Sequence, residues 1–190
     1  MGKSLKKEQI NKEIVGNIIG EDYYKEILEK KINRGYDIDG VDNSGRTTLM
    51  WAAIMGYYNI VEMLINYGVN LNISDFMGHT ALMDVCCRSL GEYSKEKEIL
   101  ELLLDNGAET NVQNKYGYTP LMYAVERGKL YSVEKLIEYG IDLNIKDKDG
   151  DTALDIAYKM IKESENVLEG LMRMKIIRLL EDYQLYFDKG

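Results

Sequence analysis

The chain repeats a phrase, and the repeat fixes its architecture. Gly45-Arg46-Thr47-Thr48-Leu49-Met50 recurs as Gly78-His79-Thr80-Ala81-Leu82-Met83, as Gly117-Tyr118-Thr119-Pro120-Leu121-Met122 and as Gly150-Asp151-Thr152-Ala153-Leu154-Asp155. The leading glycines are separated by 78−45 = 33, 117−78 = 39 and 150−117 = 33 residues. A second phrase, led by Gly35, Gly68, Gly107 and Gly140, keeps the same beat of 33, 39 and 33. Two independent phrases therefore agree on the period and on where it stretches by six residues. A period of this length marks stacked supersecondary units, each contacting its neighbours and exposing one long face along the stack.

Each unit carries the local chemistry of two short helices. Thr47, Thr80, Thr119 and Thr152 precede apolar runs, where a hydroxyl caps helix N–H groups. Pro120, the only proline, falls at a first helical position. Gly68, Gly107 and Gly140 follow the second helices, where a left-handed residue closes the last turn. Ala52, Ala53, Ala124 and Ala157 permit close packing of first helices. Ile60, Val61, Leu64 and Ile65 recur at helical spacing and predict one buried stripe in a second helix.

These phrases resemble the ankyrin repeat, whose unit is roughly Asp-x-x-Gly-x-Thr-Pro-Leu-His-x-Ala-Ala, an apolar second helix, then Gly-Ala-Asp-x-Asn. The match is closest over Asp42 to Ile73, nearly as close over Asn114 to Ile145, and interrupted in its middle over Asp75 to Val112. The resemblance implies an all-α solenoid of stacked helix-turn-helix units joined by short β-hairpin-like turns. It predicts a single domain over 1–190. An N-terminal capping helix pair occupies 8–40, full repeats occupy 41–73, 74–112 and 113–145, and an extended C-terminal capping repeat occupies 146–187. The caps are read from Ile10, Ile14, Ile18, Ile19, Tyr24, Ile27, Leu28 and Ile32 at one end, and from helices over about 154–161 and 168–183 at the other. Met50, Met83, Met122 and Asp155 replace the family histidine. The Thr–His hydrogen bond usual in the family is therefore expected to be missing, with methionine specifying the packing less sharply.

Composition narrows the function. The net charge is −8 and the pI about 4.9, a poor balance for neutralising phosphates. No nucleic acid partner is expected, and the basic start at Lys3, Lys6, Lys7 and Lys12 reads as a solvated end. No apolar stretch reaches the ~20 residues that cross a bilayer, and no secretory core follows the first lysines. Cys86 and Cys87 are adjacent, which suits a reducing compartment better than a disulfide, so a cytoplasmic location is expected.

No catalytic, cofactor or metal site is expected, and the chain reads as a non-enzyme. One histidine, His79, cannot build a Cys/His zinc site. A His79–Cys87 nucleophile pair lacks an orienting third group. Asp147, Asp149 and Asp151 are spaced as in a calcium loop, but the twelfth position is Tyr158 rather than an acid.

The resemblance instead implies protein–protein interaction through a concave strip of hairpin tips and inner-helix positions. By repeat phase the contact residues are Arg46, Met55, Phe76, Met77, His79, Arg88, Lys115, Tyr116, Tyr118, Tyr123, Arg127, Lys148 and Asp151. Ile54 joins Met55, Phe76, Met77, Tyr116, Tyr118 and Tyr123 in an expected apolar-aromatic patch, a residue mixture enriched at interface centres. Trp51 reads as packing between repeats, and the Ser89–Glu98 insertion as a harmless loop extension. A strip of this kind buries roughly 800 Å² per partner. Two roles fit: an adaptor, or an inhibitor or immunity-type protein that occludes an enzyme or toxin. The acidic charge suits a basic partner surface. A monomer is favoured over self-association.

Overall fold

The threonine-led apolar runs become helices in the computed structural model, which describes residues 21–88, 95–164 and 166–187. In chain order these are α1 (Glu21–Ile32), α2 (Thr48–Met55), α3 (Tyr58–Asn66), α4 (Ala81–Cys87), α5 (Glu96–Asp105), α6 (Pro120–Glu126), α7 (Leu130–Glu138), α8 (Ala153–Lys162) and α9 (Val167–Phe187). Helix pairs α2–α3, α4–α5, α6–α7 and α8–α9 follow the repeat phase, and Val41 and Thr47 form an isolated antiparallel bridge across the first hairpin. Ile10, Ile14, Ile18, Ile19 and residues 89–94 of the insertion lie outside the described residues. The end of the insertion has become the first turn of α5.

The described residues form two compact units, 21–85 with 95–108, and 86–88 with 109–164 and 166–187. In the first, α1 and α2 pack on α3, and α3 packs on α5. Leu28, Leu49, Met50, Ala52, Ala53, Ile60, Val61, Leu64, Ile99 and Leu103 are buried there. Fully burying each large side chain contributes ~1.5–3 kcal/mol, which is what drives these short helices together. In the second unit α6 packs on α7 and α8, and α9 packs on α7 and α8. Its core holds Leu121, Met122, Ala124, Val133, Leu136, Ala157, Ile176 and Leu180.

Each inner helix is started by its threonine. The Oγ1 atoms of Thr47, Thr80, Thr119 and Thr152 accept from the backbone N–H groups of Met50, Met83, Met122 and Asp155 at 3.2, 3.4, 3.3 and 3.3 Å. The Thr–His bond is absent with the histidine, as expected, and two units make a reciprocal bond of another kind. Thr119 N donates to the Met122 sulfur at 3.4 Å. Thr152 N and Oγ1 both donate to Asp155 Oδ2, at 2.9 and 2.7 Å. In these two units the third helical residue supplies an acceptor that closes the capping box.

The outer helix α3 has no side-chain bond from its own N-cap residue, Tyr57. Glu21 supplies it from α1, its carboxylate accepting from Asn59 N at 2.5 Å and Ile60 N at 3.3 Å. A carboxylate on those N–H groups also meets the positive end of the helix dipole. This contact fixes α1 against the first repeat.

Adjacent repeats are joined at the hairpins by backbone bonds, Phe76 N to Ser44 O at 3.1 Å and Lys148 N to Tyr116 O at 3.0 Å. The approach is so close that Gly45 and Gly117 have no alternative. Both have positive φ, 79° and 83°. A Cβ on Gly117 would lie 2.8 Å from Asp147 Cα, and one on Gly45 would lie 2.8 Å from Phe76 N. The second repeated phrase forms its own rungs, with Asn70 N donating to Asp39 Oδ1 at 2.9 Å and Asp142 N to Asn111 Oδ1 at 3.0 Å.

Gly117→Ala is expected to cost about 3 kcal/mol, because left-handed strain and a backbone clash add. Gly140→Ala, also at positive φ but with nothing within 4 Å of the new Cβ, is expected to cost only about 1 kcal/mol. Urea unfolding of the two variants measures the difference. Hydrogen bonds from the Thr152 side chain and backbone hold the Asp155 carboxyl below its ordinary pKa. Such a group binds fewer protons folded than unfolded. Its contribution is therefore complete above the unfolded value of about 4 and lost as pH falls through the folded value. Because Asp155 is exposed, the effect is small: Asp155→Ala is expected to cost about 0.5–1 kcal/mol at neutral pH. The gap from the parent should narrow below about pH 4 in pH-dependent denaturation.

Candidate functional site

Every hairpin tip is closed by one side chain. Asp42 Oδ1 accepts from Ser44 N and Arg46 N at 2.8 and 3.0 Å. Asp75 Oδ1 accepts from Met77 N and His79 N at 2.8 and 2.9 Å. Asn114 Oδ1 accepts from Tyr116 N and Tyr118 N at 2.8 and 3.0 Å. Asp147 Oδ1 accepts from Asp149 N and Asp151 N, both at 2.9 Å. Of the residues expected to meet a partner, Met55, Arg88, Tyr123 and Arg127 lie on or beside the helices, whereas Arg46, Phe76, Met77, His79, Lys115, Tyr116, Tyr118, Lys148 and Asp151 sit on the tips, in turns closed by Asp42, Asp75, Asn114 and Asp147. Sequence reading gave these four no role at the site, although their fixed place three residues before each tip glycine is a usable signal.

In three hairpins the second terminal atom of the closing side chain meets a polar side chain of an inner helix or hairpin. In the first unit, Trp51 Nε1 donates to Asp42 Oδ2 at 2.9 Å. Asp75 Oδ2 lies 3.3 Å from Arg46 Nε and 3.5 Å from His79 Nδ1, and Arg46 Nη2 lies 3.6 Å from Asp84 Oδ1. The Arg46 guanidinium also sits over the Trp51 ring, 5.3 Å from its centroid. Asp75 and Asp84 are buried. Arg46 therefore pairs with scaffold carboxylates, and the His79 ring faces Asp75. Ile54, expected in the exposed patch, is buried at 2% exposure. It sits on α2 on the side turned into the core with Val61 and Leu64, whereas Met55, one residue on, reaches solvent. Phe76 is 61% exposed and Met55 and Met77 are each 38% exposed.

In the second unit the same geometry recurs with different chemistry. Asn114 Nδ2 donates to the Tyr123 hydroxyl oxygen at 2.8 Å, and the Tyr123 and Tyr118 rings are 5.1 Å apart. Burial, with a smaller effect from Cys87, pushes the Tyr123 hydroxyl up to about 12, so it stays protonated. Burial also raises Tyr118, helped by the carboxylates of Glu126, Asp147, Asp151 and Asp149. Lys159 binds Asp151, and Arg127 Nη2 lies 3.9 Å from Cys87 Sγ. Tyr116 is 57% exposed, and Arg88, Lys115, Arg127 and Lys148 are exposed. Tyr118, Tyr123 and Asp151 are half-buried.

Among the described residues, no group of three or more His, Cys, Asp or Glu side chains is arranged to hold a metal ion, and no helix is long and apolar enough to cross a membrane.

Comparison with known families agrees with this geometry. The model of three ankyrin repeat copies matches residues 18–94, a single ankyrin repeat matches 77–115, and the model of many ankyrin repeat copies matches 103–157. The chain belongs to the ankyrin repeat family. Ankyrin repeats are generally protein–protein interaction modules without catalysis of their own.

An ankyrin repeat protein of Rickettsia bellii is 35% identical over 133 residues, 70% of this chain and 38% of that one. The human transient receptor potential cation channel subfamily A member 1 is 26% identical over 156 residues, 81% of this chain and 14% of the channel. An L-asparaginase of Dirofilaria immitis is 28% identical over 134 residues, 70% of this chain and 22% of that protein. The chain thus spans well under half the length of the relatives it matches. A channel and an enzyme of such different names show that the ankyrin stack is shared while the work of the whole protein is not.

Asp75 serves both the hairpin and the Arg46 pair, so Asp75→Ala is expected to cost about 3 kcal/mol. Asp75→Asn keeps the turn acceptor, as Asn114 does in its own repeat, and is expected to lose about half as much. Chemical denaturation of the two variants separates the turn bond from the ion pair.

Proposed function

We propose that this ankyrin chain binds another protein through the hairpin tips and inner-helix faces of its repeats, with Phe76 and Tyr116 as the principal anchors. The observation that carries the reading is the exposure of these two rings, 61% and 57%, on tips whose backbone is immobilised. Phe76 N is bonded to Ser44 O and Tyr116 O to Lys148 N, and the side chains of Asp75 and Asn114 close both turns. A rigid exposed aromatic loses little conformational freedom on binding, which is the economy of a hot spot.

Met55 and Met77 extend the apolar surface beside Phe76. Arg88, Lys115, Arg127 and Lys148 supply exposed cations, and His79, Tyr118 and Asp151 are half-buried. Arg46 and Tyr123 take part chiefly by holding the tips in place. Glu126, Asp149 and Asp151 alternate with the exposed cations and lie near enough to help raise Tyr118. The net charge of −8 favours a partner with a basic surface and would speed its approach. It equally supports the inhibitor reading, in which the chain occludes a basic enzyme or toxin surface. The chain acts by recognition alone, without chemistry of its own, from the cytoplasm, and 1–190 works as one domain of three full repeats between modified caps.

The test is partner capture with the parent chain and with the Phe76→Ala/Tyr116→Ala variant, followed by calorimetry on the captured protein. The variant is expected to lose at least ~2 kcal/mol of binding free energy. Its Tm should move by less than about 4 °C, because both rings are mostly in solvent. Equal binding by parent and variant would refute the anchors, and a large fall in Tm would show them to be structural.

A further inference from the structure

The last helix has two apolar sides. Ile176, Ile177 and Leu180 of α9 are buried against the second unit. On the opposite side Val167, Leu171 and Met174 are 81%, 52% and 56% exposed, at i, i+4 and i+7. Beside this stripe a groove of about 490 Å³ runs between α8 and α9, lined by Tyr158, Ile161, Leu171 and Met174 with Lys175 and Arg178 among its polar residues. An apolar groove of that kind receives an amphipathic helix presenting anchors at i, i+4 and i+7. The chain carries such a helix on the groove's own wall.

We infer that the α8–α9 face is a self-association surface, in which α9 of one copy lies along the α8–α9 groove of a second copy and the exchange is reciprocal. Three observations choose a second copy as the occupant. The stripe and the groove are complementary in shape class and are adjacent on one face, as an isologous twofold contact requires.

The charge also permits it. The chain as a whole is −8, which opposes self-association, but α9 carries three cations, Arg173, Lys175 and Arg178, against three anions, Glu169, Glu181 and Asp182. The helix is itself neutral and so adds no repulsion between copies of an acidic chain. Finally, an antiparallel twofold near Leu171 sets Leu168 of one copy by Met174 of the other, so the exposed apolar side chains of the two helices meet. Val167, Leu168, Leu171, Met174 and Leu185 are each more than half exposed, an apolar surface comparable with the larger patches of soluble proteins, ~300–600 Å². With polar rim added, that approaches the ~800 Å² per partner of a stable interface.

Sedimentation velocity of the full chain across a concentration series tests this. The parent is expected to shift from 21.8 kDa toward twice that mass as concentration rises. Leu171→Glu and, separately, Val167→Asp are expected to weaken the dimer at least ~30-fold, equivalent to about 2 kcal/mol. Both side chains are more than half exposed, so circular dichroism of the variants should match the parent. A parent that stays at 21.8 kDa up to about 1 mM, the weak edge of specific association, overturns the inference. So does a dimer that persists unchanged in folded variants. Phe76 and Tyr116 play no part in this readout, so its failure leaves the recognition reading intact, and the reverse holds too.

Discussion

The structure depends on one short polar side chain per repeat, placed three residues before the tip glycine. Asp42, Asp75, Asn114 and Asp147 each accept two backbone N–H bonds with a single oxygen. A hairpin tip has no neighbouring strand to satisfy those donors, and unsatisfied donors in half-buried backbone are costly. With the donors bound, the tip becomes rigid enough for the next repeat to settle against it. The bonds from Phe76 N to Ser44 O and from Lys148 N to Tyr116 O then follow, spanning 76−44 = 32 and 148−116 = 32 residues, one short of the 33-residue period.

The same side chain decides which variable residues are available to a partner. In three hairpins its second atom meets a variable residue: an inner-helix indole at Trp51, a guanidinium and an imidazole on the hairpins at Arg46 and His79, and an inner-helix phenol at Tyr123. The partners differ because a carboxylate accepts whereas a carboxamide donates. Positions that the repeat phase marks as variable thus divide into two groups. Some complete the hairpin's polar network. Others, such as Phe76, Met77 and Tyr116, have no such duty in their side chains and remain exposed.

Much of this was legible in the residues. The threonine caps, the proline at the start of α6 and the helix pairs all lie where the phrases put them, because each rests on chemistry within four residues of itself. The Thr–His bond is missing as the sequence implies, but nothing in the residues signalled that Asp155 and Met122 would supply acceptors of their own to the cap residue. Ile54 was misplaced for a different reason. A helix of eight residues turns about 100° per residue, so one step along it separates a buried side chain from an exposed one. Repeat phase alone does not resolve that step. The Arg46 network was invisible because its members, Asp75 and Asp84, are more than 25 residues away in sequence, as 75−46 = 29 shows.

Anchor and scaffold meet at Gly45. The Phe76 ring lies where a Gly45 side chain would begin, its Cδ1 only 2.7 Å from the absent Cβ. The glycine is required by its positive φ, and its bareness in turn creates the shelf on which the exposed ring rests. Phe76, the most exposed aromatic among the described residues of the first unit, is therefore held by a close backbone approach between its own hairpin and that of Gly45. A residue can be mostly in solvent and still be precisely oriented when its support is main chain. That is why an apolar side chain at this tip need not weaken the fold, and why its orientation should persist when the contacts around it change.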